Sequence, residues 1–145
     1  MKAFIRFFCV FLILFFPGCK AFSLDSVPYV IAGEFEMEEG SADYSICGVN
    51  FYLLNQHEKD ISKINIVFFL FDQDGEPAWE CRSKISAEIT IDIEAGESRN
   101  FCMSLDQFMN SVPEDYLLVD YLYLAKIEYE DGSVWEDPYG LTAFR

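Results

Sequence analysis

Residues 85–93 read ISAEITIDI, and this alternation constrains the chain more than any other stretch. Ile85, Ala87, Ile89, Ile91 and Ile93 fall on one side of an extended backbone, and Ser86, Glu88, Thr90 and Asp92 on the other. A helix advances about 100° per residue and would scatter these apolar side chains around its circumference. A strand gathers them on one face, because its side chains repeat every second residue. The segment is therefore expected to be a strand with one buried and one wet face.

Other stretches carry the same rhythm. Tyr29–Met37 is strand-like, and Ser45–Asn55 (SICGVNFYLLN) places Cys47, Val49, Phe51 and Leu53 at alternate positions. Within Ile61–Asp72 the run INIVFFLF is apolar on both faces, which suits a central strand covered on both sides. Asp72-Gln73-Asp74-Gly75 is expected to turn the chain. Residues 76–84 are irregular or a short edge strand, since Pro77 cannot sit in a central ladder. Glu94-Ala95-Gly96-Glu97 makes a further turn before a strand over Arg99–Leu105. Asp106–Glu114 is expected to hold one helical turn, with Asp106 as N-cap and Pro113 as stop. Leu117–Glu130 predicts a long strand in which Leu122, Leu124 and Ile127 alternate imperfectly. Asp131-Gly132 turns it, and Val134–Tyr139 runs back as the closing strand. About seven short strands with Gly and Asp turns between them indicate an all-β antiparallel sandwich.

The first residues follow another logic. Lys2 and Arg6 are followed by an unbroken apolar run from Phe7 to Phe16, which Pro17-Gly18 ends. A positive start, a short apolar stretch and a small residue before the cut describe a secretory leader, and the run is too short to span a bilayer. Phe16-Pro17-Gly18-Cys19 resembles the lipobox of bacterial lipoproteins, with Gly18 and Cys19 matching and Phe16 and Pro17 departing. The resemblance implies cleavage after residue 18 and acylation of Cys19, the lipidation site. Each buried methylene contributes about 0.8 kcal/mol, so two or three acyl chains hold a small domain to a membrane where one does not. The expected organisation is a signal peptide over 1–18, a tether over 19–28 and a sandwich over 29–145, anchored by lipid in the cell envelope and facing outside the cytoplasm. The alternative is ordinary cleavage near Ala21, which leaves a soluble secreted protein without lipid.

Composition narrows the partners. The whole chain has a net charge of −15; without Lys2 and Arg6 its 25 acidic residues face 8 basic ones, a net of −17. Such a surface repels nucleic acid and anionic headgroups. With 15 Phe and 8 Tyr the chain is too aromatic for an acidic disordered tract, so a packed core under a charged coat is expected. Beyond Cys9 and Cys19 three cysteines are left, Cys47, Cys81 and Cys102. Export permits one bridge, in three possible pairings, and the bland alternative is buried inert thiols. No C-x-x-C spacing marks a redox or zinc site.

Two stretches carry a family resemblance. IVFFLFDQDGE at 66–76 and IEAGESRNF at 93–101 resemble segments of bacterial immunoglobulin-like lipoprotein domains of the FxLYD type. The resemblance covers roughly Val49 to Phe101. It implies an immunoglobulin-like fold at the cell envelope and assigns no chemistry. The closing IEYEDGSVWEDPYG is similar to the strand–turn–strand ending of such domains.

Each candidate site has a structural competitor. Asp72, Asp74 and Glu76 alternate as in calcium loops, but the twelfth position of an EF-hand would fall on Ser83, so an acidic hairpin turn is expected. Glu128, Glu130, Asp131, Glu136 and Asp137 crowd the last hairpin as a solvated rim. His57, the one histidine, lies in the loop NQHEKD with no nucleophile marked beside it. Trp79, Trp135 and Tyr139 are the aromatic candidates for partner binding; the core is the favoured place for Trp135, while Trp79, after Pro77 in an irregular stretch, suits core and surface equally. No catalytic residue, cofactor or metal set is indicated. The expected function is a non-enzymatic envelope lipoprotein binding a protein or peptide partner by edge pairing. The alternative is a divalent-cation or small-ligand module built on the acidic turns.

Overall fold

The computed structural model describes residues 27–78 and 84–144. The leader with Cys19, and also Trp79 and Cys81, lie outside them. Seven strands follow in chain order: β1 (Tyr29–Glu36), β2 (Gly48–Asn55), β3 (Ile61–Phe71), β4 (Lys84–Ile93), β5 (Ser98–Ser104), β6 (Leu118–Tyr129) and β7 (Val134–Glu136), with a 3-10 turn at Leu141–Phe144. They form two antiparallel sheets in the orders β1-β2-β5 and β4-β3-β6-β7. The chain is thus an all-β, immunoglobulin-like antiparallel sandwich. Among the described residues no helix is long and apolar enough to cross a membrane.

β3 is central, as its two apolar faces predict. Ile64, Ile66, Phe68 and Leu70 enter the core, Val67 is buried opposite them, and Phe69 and Phe71 are half-buried. From the facing sheet come Val49, Phe51 and Leu53 of β2, all buried. Phe51 meets Phe68 edge to face across the sandwich, with ring centroids 5.3 Å apart, a favoured aromatic geometry. Gly33 of β1 makes room for this contact: a Cβ there would lie 2.9 Å from the Phe51 ring.

The ends of the sandwich are fastened by polar side chains. Asn55, fully buried, donates through Nδ2 to the carbonyls of Lys59, Ile93 and Glu94 and accepts the amide of His57. Two loops, 55–60 and 94–97, are thereby tied at one end, and both the nitrogen and the oxygen of the amide have partners, as a buried polar group requires. The turn after β6 is the expected Asp-Gly turn, with Gly132 at φ 80°, where a side chain would be strained.

Two expectations need correction. The single turn expected in Asp106–Glu114 forms at its start, where the Leu105 carbonyl accepts the amides of Phe108 and Met109, but Asp106 is not its N-cap. Asp106 caps another segment: its carboxylate accepts the amides of Ser45 and Ile46. The closing strand stops at Glu136 instead of Tyr139, because Asp137 and Pro138 lead into a turn. The imperfect alternation of β6 has a cause in the ladder, where register shifts against β3 fall between Asn65 and Ile66 and between Val67 and Phe69. Extra residues on one strand of a pair make such bulges and bend the strand.

Candidate functional site at the open side of the sandwich

The two long sides of the sandwich are finished differently. On the β1 and β7 side the C-terminal turn closes the gap. The Tyr29 hydroxyl accepts the amide of Leu124 in β6 and bonds Thr142 Oγ1 at 3.0 Å. Trp135 packs edge-on against the Tyr29 ring at 5.6 Å. The buried Asp137 carboxylate accepts the amides of Leu141 and Thr142 and the Thr142 hydroxyl. Burial alone would raise its pKa; these hydrogen bonds outweigh it and hold the group below the usual carboxylate range.

The opposite side is open. In the constant-type immunoglobulin arrangement the fourth strand borders the fifth. Here β4 borders β3 instead, so β4 and β5 are both edges with one ladder neighbour each among the described residues. Between them runs a groove of about 590 Å³, with Ile89, Ile91, Phe101 and Met103 on its walls. Ile89 and Phe101 are only half-buried although both belong to inward-facing rows. At one end Arg99 of β5 reaches across, and its Nη1 donates to the carbonyl of Asp92 in β4 at 2.7 Å.

The aromatic candidates are dispersed. Trp135 is half-buried against the core, and Tyr139 is 83% exposed on the turn after β7. Trp79 and the lipidation candidate Cys19 lie outside the described residues. Neither Trp135 nor Tyr139 lines the groove. Its residues went unmarked in the sequence because Ile89 reads as an ordinary core position; only the placement of β4 leaves it uncovered.

The acidic turns are occupied with their own geometry. Asp72 Oδ1 accepts the amides of Asp74 and Glu76, each at 2.9 Å, which folds the 72–76 turn on itself. Asp131 accepts the amide and hydroxyl of Ser133 and pairs with Lys59 at 2.7 Å. These contacts, Lys59 first, hold its carboxyl well below the usual range. The turns lie at opposite ends of β6, since Leu118 pairs with Phe71 and Tyr129 with Ile61. Among the described residues no three His, Cys, Asp or Glu side chains are grouped to hold a metal ion.

Ser133 Oγ lies 2.8 Å from Lys59 Nζ, a spacing that a serine–lysine catalytic pair would share. A lysine acting as base must be neutral. Here Lys59 Nζ is held by the Asp131 carboxylate as well as by Ser133 Oγ, so the group locks the turn to the 55–60 loop. His57 stacks on Tyr129 at 4.7 Å, and its Nδ1 accepts the Lys59 amide. Burial, with the nearby Asp131 charge, pushes the Tyr129 hydroxyl up to about 12.

Cys47 and Cys102 are free thiols. Cys47 is buried and its thiol donates to Met109 Sδ at 3.1 Å. Burial, then the Asp106 charge, pushes it up to about 11, which leaves almost no thiolate at neutral pH. The Cys102 thiol is raised too, by burial and then by the charges of Asp43 and Glu36.

The fold therefore defines an immunoglobulin-like sandwich with one clasped and one open side. Among solved structures it is similar to a hypothetical protein from Peptoclostridium difficile 630, with a TM-score of 0.56 and 12% identity over 78% of this chain and 88% of that one. At that identity the likeness is one of fold. No family model matches the sequence, and neither does any curated protein.

Proposed function

We propose that this chain is a non-enzymatic, lipid-anchored module of the bacterial cell envelope that binds a protein or peptide partner by pairing with one of its sheet edges. The observation that carries the reading is the open side, where two edge strands face each other across partly uncovered Ile89 and Phe101. An edge strand offers backbone donors and acceptors to an added strand, and apolar pockets beside it select alternate side chains. The leader ending in Gly18-Cys19 supports the anchor, and the net charge supports a body that stands off anionic lipid.

Two measurements test the parts separately. Intact mass of the membrane-extracted protein should show a chain beginning at Cys19 with acyl mass added; an unacylated chain beginning near Ala21 would mean a secreted protein. Proline removes the amide that a ladder needs. Envelope proteins retained by the wild type should be lost with Thr90→Pro in β4, and retention of the same set by both would overturn the edge reading.

A further inference from the structure

The edge reading leaves open which strand is used and what is added to it. We infer that the partner adds to β4, and that it is an extended segment alternating apolar residues with Lys or Arg. This rests on the edge-pairing reading and goes further by naming the strand and the chemistry.

The choice of strand comes from length and charge. β4 runs for ten residues and β5 for seven. The outward row of β5 is neutral: Ser98, Asn100, Cys102 and Ser104. The outward row of β4 carries the exposed carboxylates Glu88 and Asp92, with Lys84 at the far end. Lys63 reaches Glu88 at 3.2 Å, and Asp92 has no ion pair among the described residues. A strand laid along β4 would point every second side chain into the groove, over Ile89, Ile91, Phe101 and Met103. Its other side chains would lie beside Glu88 and Asp92, where opposite charges across a ladder are favourable and like charges are not.

Arg99 shows the same chemistry within the molecule. It is a cationic side chain from outside the sheet, and it already bonds a backbone carbonyl of β4 on the groove side. The carbonyl of Asp92 is therefore turned toward the open side and accepts a guanidinium. A partner strand would compete with Arg99 at that end, and its basic residues would meet the surface that draws Arg99. The net charge of −15 adds long-range attraction for a basic segment.

The test uses the full chain and two synthetic octapeptides, (Lys-Val)4 and (Glu-Val)4, read by titration and by amide hydrogen exchange. The basic peptide should slow exchange in β4 and bind up to roughly tenfold more tightly than the acidic one, as two favourable cross-strand pairs allow. The double substitution Glu88→Lys with Asp92→Lys should reverse the preference, and Arg99→Ala should strengthen binding of (Lys-Val)4. Equal affinity for the two peptides, both protecting β4, would overturn the charge inference and leave edge pairing standing. Protection confined to β5 would overturn the choice of strand. Binding without protection of either strand, or no binding of either peptide, would overturn the inference and the edge reading together.

Discussion

Asp106 Oδ2 accepts the backbone amide of Ser45 at 2.7 Å, across 61 residues of sequence. Oδ1 of the same carboxylate takes the next amide, that of Ile46, at 2.8 Å. These two bonds, Ser45 first, hold the Asp106 pKa below its usual value. A carboxyl depressed in the folded state stabilises above its unfolded pKa, and that contribution is lost as pH falls through the folded one. Stability supplied by Asp106 is therefore complete above about pH 4 and fades below it. Asp106→Asn should lower the Tm at pH 7, and the gap between variant and wild type should narrow as melting is repeated toward pH 2. A constant gap would mean that the charge does not act in this way.

Asn55 fastens the other end. Asn55→Ala removes both Nδ2 hydrogens, which the carbonyls of Lys59, Ile93 and Glu94 share, and takes that donor from acceptors close to the core. Leaving buried acceptors unpaired costs about 1–3 kcal/mol. The urea midpoint should fall accordingly at an unchanged slope, since the surface exposed on unfolding stays the same.

Thiol reactivity should follow burial. At pH 8 the native protein should leave Cys47 unmodified by iodoacetamide, because at a pKa of about 11 its thiolate is scarce and the sulfur is covered. Unfolding in urea should expose it to full alkylation, and peptide mass mapping reads both states. Ready labelling of native Cys47 would contradict its placement.

Trp135 and Tyr139 should separate cleanly. Trp135 packs against the core and Tyr29, so Trp135→Ala should cost roughly 2–4 kcal/mol, somewhat under the figure for a fully buried aromatic. Tyr139 is 83% exposed, and Tyr139→Ala should leave stability within about 0.5 kcal/mol. Chemical denaturation of the two variants checks the pair.

What the sequence reveals depends on how local the cause is. β3 and β4 are legible because their patterns follow from the faces they bury. Both turns at Asp-Gly pairs are legible because the chemistry is local. Asp106 misleads because an aspartate before a turn has the look of an N-cap whether its partners lie in its own segment or sixty residues away. The closing strand reads too long because Val134, Trp135 and Tyr139 have strand-like side chains, while the capping by Asp137 that ends it depends on Leu141 and Thr142. The groove is the least legible of all. Ile89 and Phe101 look like core residues, and nothing local says that β4 pairs with β3 and leaves β5 with β2 as its one ladder neighbour among the described residues.

The bond between Tyr29 and Thr142 joins the first strand to the last turn, and Leu124 ties both to β6. A pull arriving through the segment before Tyr29 is thereby spread over three parts of the molecule at once. Clip the chain ahead of Asp137 and the hold of the last turn is gone, leaving the leading end of β1 fastened by its ladder with β2 and the Leu124 bond.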